Sequence, residues 1–134
     1  MAGVQVFDFD SPDETRTAEK TRVDVVRIVG KIAGRFPFTA GRSTYTAGRL
    51  ALEPGWRWSE CVKPVVGTDS CQARHVGVLQ SGTLRVAHED GSEVDLRAGE
   101  AYVIEPGHDA WVIGDERVVA FEFDSRAAEE YARG

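Results

Sequence analysis

Hydrophobic and polar residues alternate in short runs along most of the chain after Val23. Alternation of this kind is typical of a strand with one buried face. Glycine-containing pairs such as Ser81-Gly82 and Asp90-Gly91 separate the runs. The runs cover residues 23–28, 49–52, 75–79, 83–88, 93–96, 101–104, 110–113 and 118–123. Strands at this spacing predict an antiparallel β-sandwich or barrel.

The clearest local prediction is a hairpin over residues 84–96. Asp90-Gly91 at its centre tolerates the positive φ angles of a type I′ turn. Leu84, Val86, Val94 and Leu96 alternate with polar neighbours. One face of the hairpin should therefore lie in the core and the other in solvent.

The segments near the two ends follow other patterns. Residues 11–14, Ser-Pro-Asp-Glu, combine a capping hydroxyl, an early proline and a glutamate three positions after the serine, which predicts one helical turn. Residues 125–133 are rich in helix formers and predict a short C-terminal helix. Residues 30–48, with Phe36-Pro37-Phe38, fit either an irregular strand pair or a long loop with an aromatic anchor.

A chain of 134 residues favours one domain. We expect residues 1–48 to form an N-terminal arm and first strands that pack on a barrel. The barrel itself should span residues 49–124, and residues 125–134 should form the C-terminal helix or tail.

Composition and charge narrow the possible partners. Hydrophobic residues make up 42% and charged residues 28% of the chain, as in folded proteins, and the formal net charge is −6. Without a basic patch, nucleic acid and anionic membranes are disfavoured as partners. No secretory signal or membrane-spanning segment is evident, so we predict a cytoplasmic protein whose two cysteines, Cys61 and Cys71, are thiols.

Residues 67–82 carry the most suggestive chemistry. Asp69, Cys71 and His75 precede a predicted strand and would share one face of an extended chain, offering oxygen, sulfur and nitrogen to a metal. His108 or water would complete a tetrahedron, and such a mixed set favours zinc, or iron if positions stay open. The alternative is a buried Cys71, a turn-forming Asp69 and a hydrogen-bonded pocket histidine at His75.

Residues 50–123 resemble the cupins through three stretches: residues 67–82, the Asp90-Gly91 hairpin and residues 99–111. In the first cupin motif, two His and a Glu precede a Gly. Gly82 matches that glycine, but His75 stands at the Glu position, while Cys71 and Asp69 stand at the two His positions. In the second motif the last His falls on Ala110. The resemblance to small single-domain cupins implies an all-β, antiparallel jelly-roll barrel and a metal site whose ligands are exchanged or lost.

Three functions follow from this resemblance and these residues. The first is binding of a small organic molecule in the barrel cavity, whose expected lining residues are Cys61, Cys71, His75, Tyr102, His108 and Trp58. The second is a zinc- or iron-dependent enzyme, such as a dioxygenase or isomerase, whose expected ligands are Asp69, Cys71, His75 and His108. The third is a metal-free isomerase or epimerase in which His75 is the base and Asp109, Glu122 or Tyr102 orients it or acts as the acid.

The tryptophans allow two interpretations. Trp56, Trp58 and Trp111 would stack on a ligand that His75, His108 and Arg74 orient. Trp111, however, should point outward if Ala110 points into the barrel. Trp56 and Trp58 share one face and would equally form an interface stripe. Because cupins are commonly dimers, the resemblance implies a homodimer.

Overall fold

The computed structural model describes residues 3–32 and 41–123. Over these residues the chain forms nine strands and two short helices. They are β1 (Glu14–Ala18), β2 (Thr21–Ile32), β3 (Gly41–Leu52), α1 (Trp58–Cys61), α2 (Lys63–Val66), β4 (His75–Ser81), β5 (Thr83–His88), β6 (Glu93–Arg97), β7 (Ala101–Ile104), β8 (His108–Ile113) and β9 (Val118–Phe123). Each of the eight predicted runs lies in a strand, so the all-β prediction is confirmed. The predicted C-terminal helix lies outside the described residues.

The strands form two antiparallel sheets. One has six strands in the order β1-β2-β3-β9-β4-β7, and the other has three in the order β6-β5-β8. Inward side chains of both sheets meet in one core, to which the first sheet contributes Val23, Leu50 and Leu79 and the second Leu84 and Val112. The alternation in the sequence is therefore the alternation between this core and solvent.

The helical turn predicted at residues 11–14 is wrong, because β1 begins at Glu14. The Asp13 N–H donates to the Val25 carbonyl at 2.9 Å, and the Asp13 side chain accepts from the Arg27 N–H at 2.6 Å. Thr15 and Thr17, whose β-branched side chains suit a strand, then continue the pairing with β2. Tertiary pairing has outweighed the local capping pattern.

Residues 30–48 belong largely to a long hairpin. β2 and β3 pair from Thr21↔Leu52 to Ile32↔Gly41. The aromatic segment Phe36-Pro37-Phe38 lies outside the described residues. The point between residues 48 and 49, where the first strands were expected to give way to the barrel, lies inside β3, which also pairs with β9. The first strands are thus continuous with the larger sheet.

The hairpin predicted over residues 84–96 is present as β5 and β6, with Leu84 opposite Leu96 and Val86 opposite Val94. Leu84 and Val86 are buried, as expected. Val94 is 54% exposed, because β6 is the edge of its sheet.

Two short helices, which the sequence pattern did not predict, connect β3 to the segment before β4. Helix α1 buries Trp58 and Cys61. Helix α2 has a proline in its first turn and ends at Gly67, whose φ is 79°. Within residues 3–32 and 41–123, no helix has the length and apolar character needed to cross a membrane.

Candidate functional site

Cys71, His75 and His108 form a buried cluster in the described part of the chain. One potential ligand atom from each lies within 4.8 Å of the other two. The Cys71 N–H donates to the His108 carbonyl at 2.7 Å, and the Gly107 N–H donates to the Cys71 carbonyl at 2.7 Å. His75 and His108 begin β4 and β8. The backbone therefore brings two segments that are far apart in sequence to one point.

Each imidazole ring is oriented by a hydrogen bond that its Nδ1 atom makes. His75 Nδ1 lies 2.9 Å from Glu122 Oε1, and His108 Nδ1 lies 2.8 Å from the Glu105 carbonyl oxygen. Because a carboxylate and a carbonyl only accept, each Nδ1 is the donor. In the neutral form of each ring, the lone pair is thereby left on Nε2. His75 Nε2 lies 3.6 Å from Cys71 Sγ, and the two rings meet edge to face with centroids 5.0 Å apart.

The residue types and one distance of the cluster match those of a zinc site. Ordinary zinc–sulfur and zinc–nitrogen bond lengths in a tetrahedral site place the two ligand atoms about 3.6 Å apart. The Cys71 Sγ to His75 Nε2 distance is 3.6 Å. A histidine that ligates zinc usually donates its other N–H to a carboxylate or a backbone carbonyl, as His75 and His108 do here.

The Cys71 thiol and the His75 imidazole shift each other's pKa. Burial raises the pKa of Cys71, but hydrogen bonds with His108 and His75 outweigh it and lower that pKa to about 6. Burial lowers the pKa of His75, but the Glu122 charge and the hydrogen bond with Cys71 raise it to about 10. In the metal-free protein at neutral pH, His75 therefore keeps its proton beside a thiolate.

Tyr102 completes the chain of buried polar side chains. Its hydroxyl donates to Glu122 Oε2 at 2.7 Å. Burial and the neighbouring Glu122 charge raise the Tyr102 pKa far above its usual range, so the phenol stays protonated. Glu122 is thus held between Tyr102 and His75, which fixes its orientation.

A small cavity opens beside the cluster. Its polar side chains are His75, Tyr102, His108 and Glu122. Its other walls are aliphatic and aromatic and include Leu50, Leu52, Trp56, Trp58, Leu84 and Ile104. The volume of this cavity is about 30 Å³. The arrangement is an apolar chamber with one polar end.

Asp69 does not join the cluster. The chain bends at residues 69–70, and Asp69 is exposed. The alternation that buries Cys71, Ala73 and His75 therefore does not extend back to Asp69, which corrects the expectation of a shared face.

Asp109 lies on the outer side of β8, since its neighbours His108 and Ala110 are buried. Its Oδ1 accepts from the N–H groups of Ser59 at 3.1 Å and Ala110 at 2.9 Å. Asp109 therefore binds the first turn of α1, and the prediction that it orients His75 or acts as its acid partner is not supported. Glu122, the other carboxylate considered from the sequence, contacts His75 instead.

The tryptophans divide between core and surface. Trp56 and Trp58 are 4% and 3% exposed and line the cavity, so the interpretation of them as an exposed interface stripe is wrong. The Trp56 indole N–H donates to Thr21 Oγ1 at 2.9 Å. Trp111 is only half-buried, and the Arg57 guanidinium lies 4.1 Å from the centre of its ring.

Three other predicted residues lie in different surroundings. Cys61, the last residue of α1, is buried in the core but is not among the lining residues of the cavity. Arg74 is exposed and pairs with Glu105 at 3.1 Å, so it does not face the cavity. Ala110, at the position of the last cupin histidine, is buried and lines the cavity.

Sequence reasoning missed Gly77, which lies between Tyr102 on β7 and Glu122 on β9 in the pairing register. A Cβ at this position would lie 2.9 Å from Glu122 Cγ and 3.0 Å from the Tyr102 hydroxyl oxygen. The absence of a side chain lets Tyr102 reach Glu122 across β4. A glycine inside an otherwise regular strand was the available signal.

Comparisons with known proteins support the fold. No family model and no curated protein matches the chain. Among solved structures, the polyketide cyclase RemF from Streptomyces resistomycificus is similar with a TM-score of 0.54 and 14% identity, over 91% of this chain and 79% of that one. KdgF from Halomonas sp. is similar with a TM-score of 0.53 and 17% identity, over 90% and 92%.

An oxalate decarboxylase from Lactobacillus farciminis, in a formate complex, is similar with a TM-score of 0.52 and 18% identity. The match covers 82% of this chain and 30% of the decarboxylase. Identities this low show the fold alone. The chain has the antiparallel jelly-roll fold of a small cupin, as the sequence predicted.

Proposed function

We propose that this protein binds a small organic molecule in the barrel cavity with the help of one zinc ion held by Cys71, His75 and His108. The observation that carries the proposal is the orientation of the two imidazole rings. Both Nδ1 atoms donate to buried acceptors, so each ring turns Nε2 toward the cluster that contains Cys71 Sγ. A metal would bind His75 there by displacing its Nε2 proton, as metal binding to histidine generally does. One thiolate and two imidazoles favour zinc over magnesium or calcium.

The surrounding residues would support such an ion in distinct ways. Zinc with three protein ligands supplies a Lewis acid with one position open to a ligand. Glu122 orients the His75 ring and makes Nε2 of that ring a stronger electron-pair donor to a metal ion. Tyr102 holds Glu122 in turn. The apolar walls exclude water and strengthen the electrostatic interactions at the polar end of the cavity.

The metal-free acid–base alternative has less support. A general base must be able to take up a proton at the working pH. Both nitrogens of His75 are engaged, by Glu122 and by Cys71, and its pKa is raised to about 10. The ring is therefore already protonated at neutral pH.

Elemental analysis tests the proposal directly. Protein purified without a metal-binding tag, exposed to zinc and then dialysed, should retain about one zinc per chain. Cys71→Ala and His108→Ala should each retain less than about a tenth of an equivalent. Glu122→Gln should keep the site but weaken zinc affinity by about 10–100-fold.

The remaining histidine provides a matched control. His88 lies opposite His108 in the pairing of β5 with β8, but its Nε2 bonds to the Pro106 carbonyl at 2.8 Å and it is not part of the cluster, so His88→Gln should retain full zinc. Circular dichroism checks that each variant is folded. A wild-type protein without zinc, or a Cys71→Ala variant with full zinc, would contradict the proposal.

We also propose the cytoplasm as the location, which the two buried free cysteines support, since thiols persist in reducing compartments.

A further inference from the structure

We propose that the cavity selects a short aliphatic molecule with a single oxygen-containing head group that carries at most one negative charge. The inference rests on the proposed function, because the head group would take the open position of the zinc ion. Hydrogen bonding, charge and size each limit the ligand, and each limit comes from a different set of observations.

The cavity offers few free hydrogen-bonding groups to a second head group. Most donors of the polar lining are already used: His75 Nδ1 and the Tyr102 hydroxyl on Glu122, and His108 Nδ1 on the Glu105 carbonyl. The Trp56 N–H is used by Thr21. Apart from the indole N–H of Trp58, the other lining side chains are apolar. A sugar or a diacid would bury polar groups without partners, which costs free energy for each one.

Charge excludes a second carboxylate. Among residues 3–32 and 41–123, no lysine or arginine lines the cavity. The two positive charges of zinc are matched by the Cys71 thiolate and the Glu122 carboxylate. A ligand with one negative charge adds a single excess charge beside the metal, whereas a dianion adds a second one in an apolar chamber that offers no counter-charge.

Size limits the apolar part of the ligand. The volume of the cavity is about 30 Å³. A dry cavity that binds benzene has a volume of about 150 Å³. The chamber therefore suits a body of about one to three carbons against Trp58 and Leu84 and is too small for an aromatic ring.

The test uses cobalt-loaded protein, whose visible absorption reports ligands that reach the metal. Acetate, propionate, malonate and benzoate are titrated separately at constant ionic strength. We expect propionate to bind about fourfold more tightly than acetate, because one more methylene is buried. Malonate, which is propionate with a second carboxylate, should bind at least tenfold more weakly than propionate, and benzoate should not saturate.

A pair of neighbouring residues tests the size limit. Ile104 lines the cavity, whereas Val103 is 57% exposed on the other side of β7. Ile104→Ala should shift the preferred acid from propionate to butyrate, and Val103→Ala should not. If Ile104→Ala does not fold, the wild-type series alone decides.

The outcomes separate the two proposals. A protein that takes up no cobalt overturns the proposed function and this inference together. A protein that takes up cobalt but binds malonate as tightly as propionate, or benzoate more tightly, retains the metal site and overturns the ligand class alone.

Discussion

Gly77 shows how one absent side chain can organise a buried polar group. Tyr102, Gly77 and Glu122 are neighbours across three strands, and the Tyr102 hydroxyl passes over the glycine to reach Glu122. A methyl group at residue 77 would also collide with the carbonyl oxygen of Phe121. The orientation of His75 thus depends on a residue that contributes no functional group.

We therefore expect Gly77→Ala to destabilise the fold by about 1–3 kcal/mol, because the added methyl group forces neighbouring strands apart. Urea denaturation followed by circular dichroism measures the change. Gly3→Ala is the control, since nothing lies within 4 Å of the added Cβ. Equal stability of the Gly77→Ala variant and the wild type would show that the strands adjust freely.

The candidate site was predictable only in part at the level of single residues. Cys71, His75 and His108 are metal-capable residue types near recognisable turns, so the sequence could nominate them. Asp69 was nominated by alternation, which fails where the chain bends. Glu122 was one of three candidate partners of His75. The carboxylate of Glu122 contacts the ring because β4 pairs with β9. That pairing joins segments that are far apart in sequence, so local patterns do not reveal it.

At the level of elements, β2 and β3 hold a buried carboxylate on their outer face. Asp24 is 2% exposed and accepts hydrogen bonds from Thr15 at 2.8 Å, Arg22 at 3.1 Å and Arg49 at 3.1 Å. Arg49 also bonds to the Phe9 carbonyl at 3.2 Å. The group fastens β1 and the N-terminal segment to the sheet.

The ionised Asp24 side chain should stabilise the folded state to an extent that depends on pH. Burial raises its pKa, but the bonds from Thr15, Arg49 and Arg22 lower it overall below 3.8. The stabilisation is therefore present above the unfolded pKa of 3.8 and is lost as the pH falls through the folded pKa. Asp24→Asn should cost about 1–3 kcal/mol at pH 7 and progressively less below about pH 4.

Urea denaturation at pH 7, 5 and 3 measures this effect. Asp10 pairs with the same Arg49 but its side chain is 80% exposed, so Asp10→Asn should change stability by no more than about 1 kcal/mol. A cost of Asp24→Asn that stays constant from pH 7 to pH 3 would contradict the assignment.

Strands were easier to predict than the short helices. A strand in a two-sheet core repeats its alternation over several residues, so the pattern is visible in one segment. Helices α1 and α2 have four residues each, too few for a helical period. Helix α1 also depends on Asp109, a residue distant in sequence that accepts from the Ser59 N–H.

At the scale of the whole molecule, the three residues proposed to bind a metal come from two sheets and one connecting segment. His75 belongs to the six-stranded sheet, His108 to the three-stranded sheet, and Cys71 to the segment before β4. A metal ion bound to all three would therefore connect the two halves of the fold. Binding of that ion should stabilise the entire domain and not one element alone.

We accordingly expect zinc at about 1,000 times its dissociation constant to stabilise the folded state by about 4 kcal/mol. The thermal midpoint should rise by about 10–15 °C for a domain of this size. Differential scanning calorimetry with and without zinc, and after removal by a chelator, measures the shift. The His108→Ala variant should show no shift, and an equal rise in that variant would place the bound zinc elsewhere.

The homodimer stays a prediction, but the surface that would form its interface differs from the tryptophan stripe considered from the sequence. Trp56 and Trp58 are buried, but Tyr45, Val103 and Phe123 are about half exposed on the outer face of the six-stranded sheet. An exposed apolar face of this kind is a common place for subunit contacts.

The backbone bridge between Cys71 and His108 has a consequence for how such a site can change. Main-chain atoms fix the spacing of these two positions, so the frame does not depend on which side chains they carry. Substitution at residue 71 can exchange a soft donor for a hard one without rebuilding the barrel. The donor atoms presented at this point of the fold can therefore change while the path of the backbone stays the same.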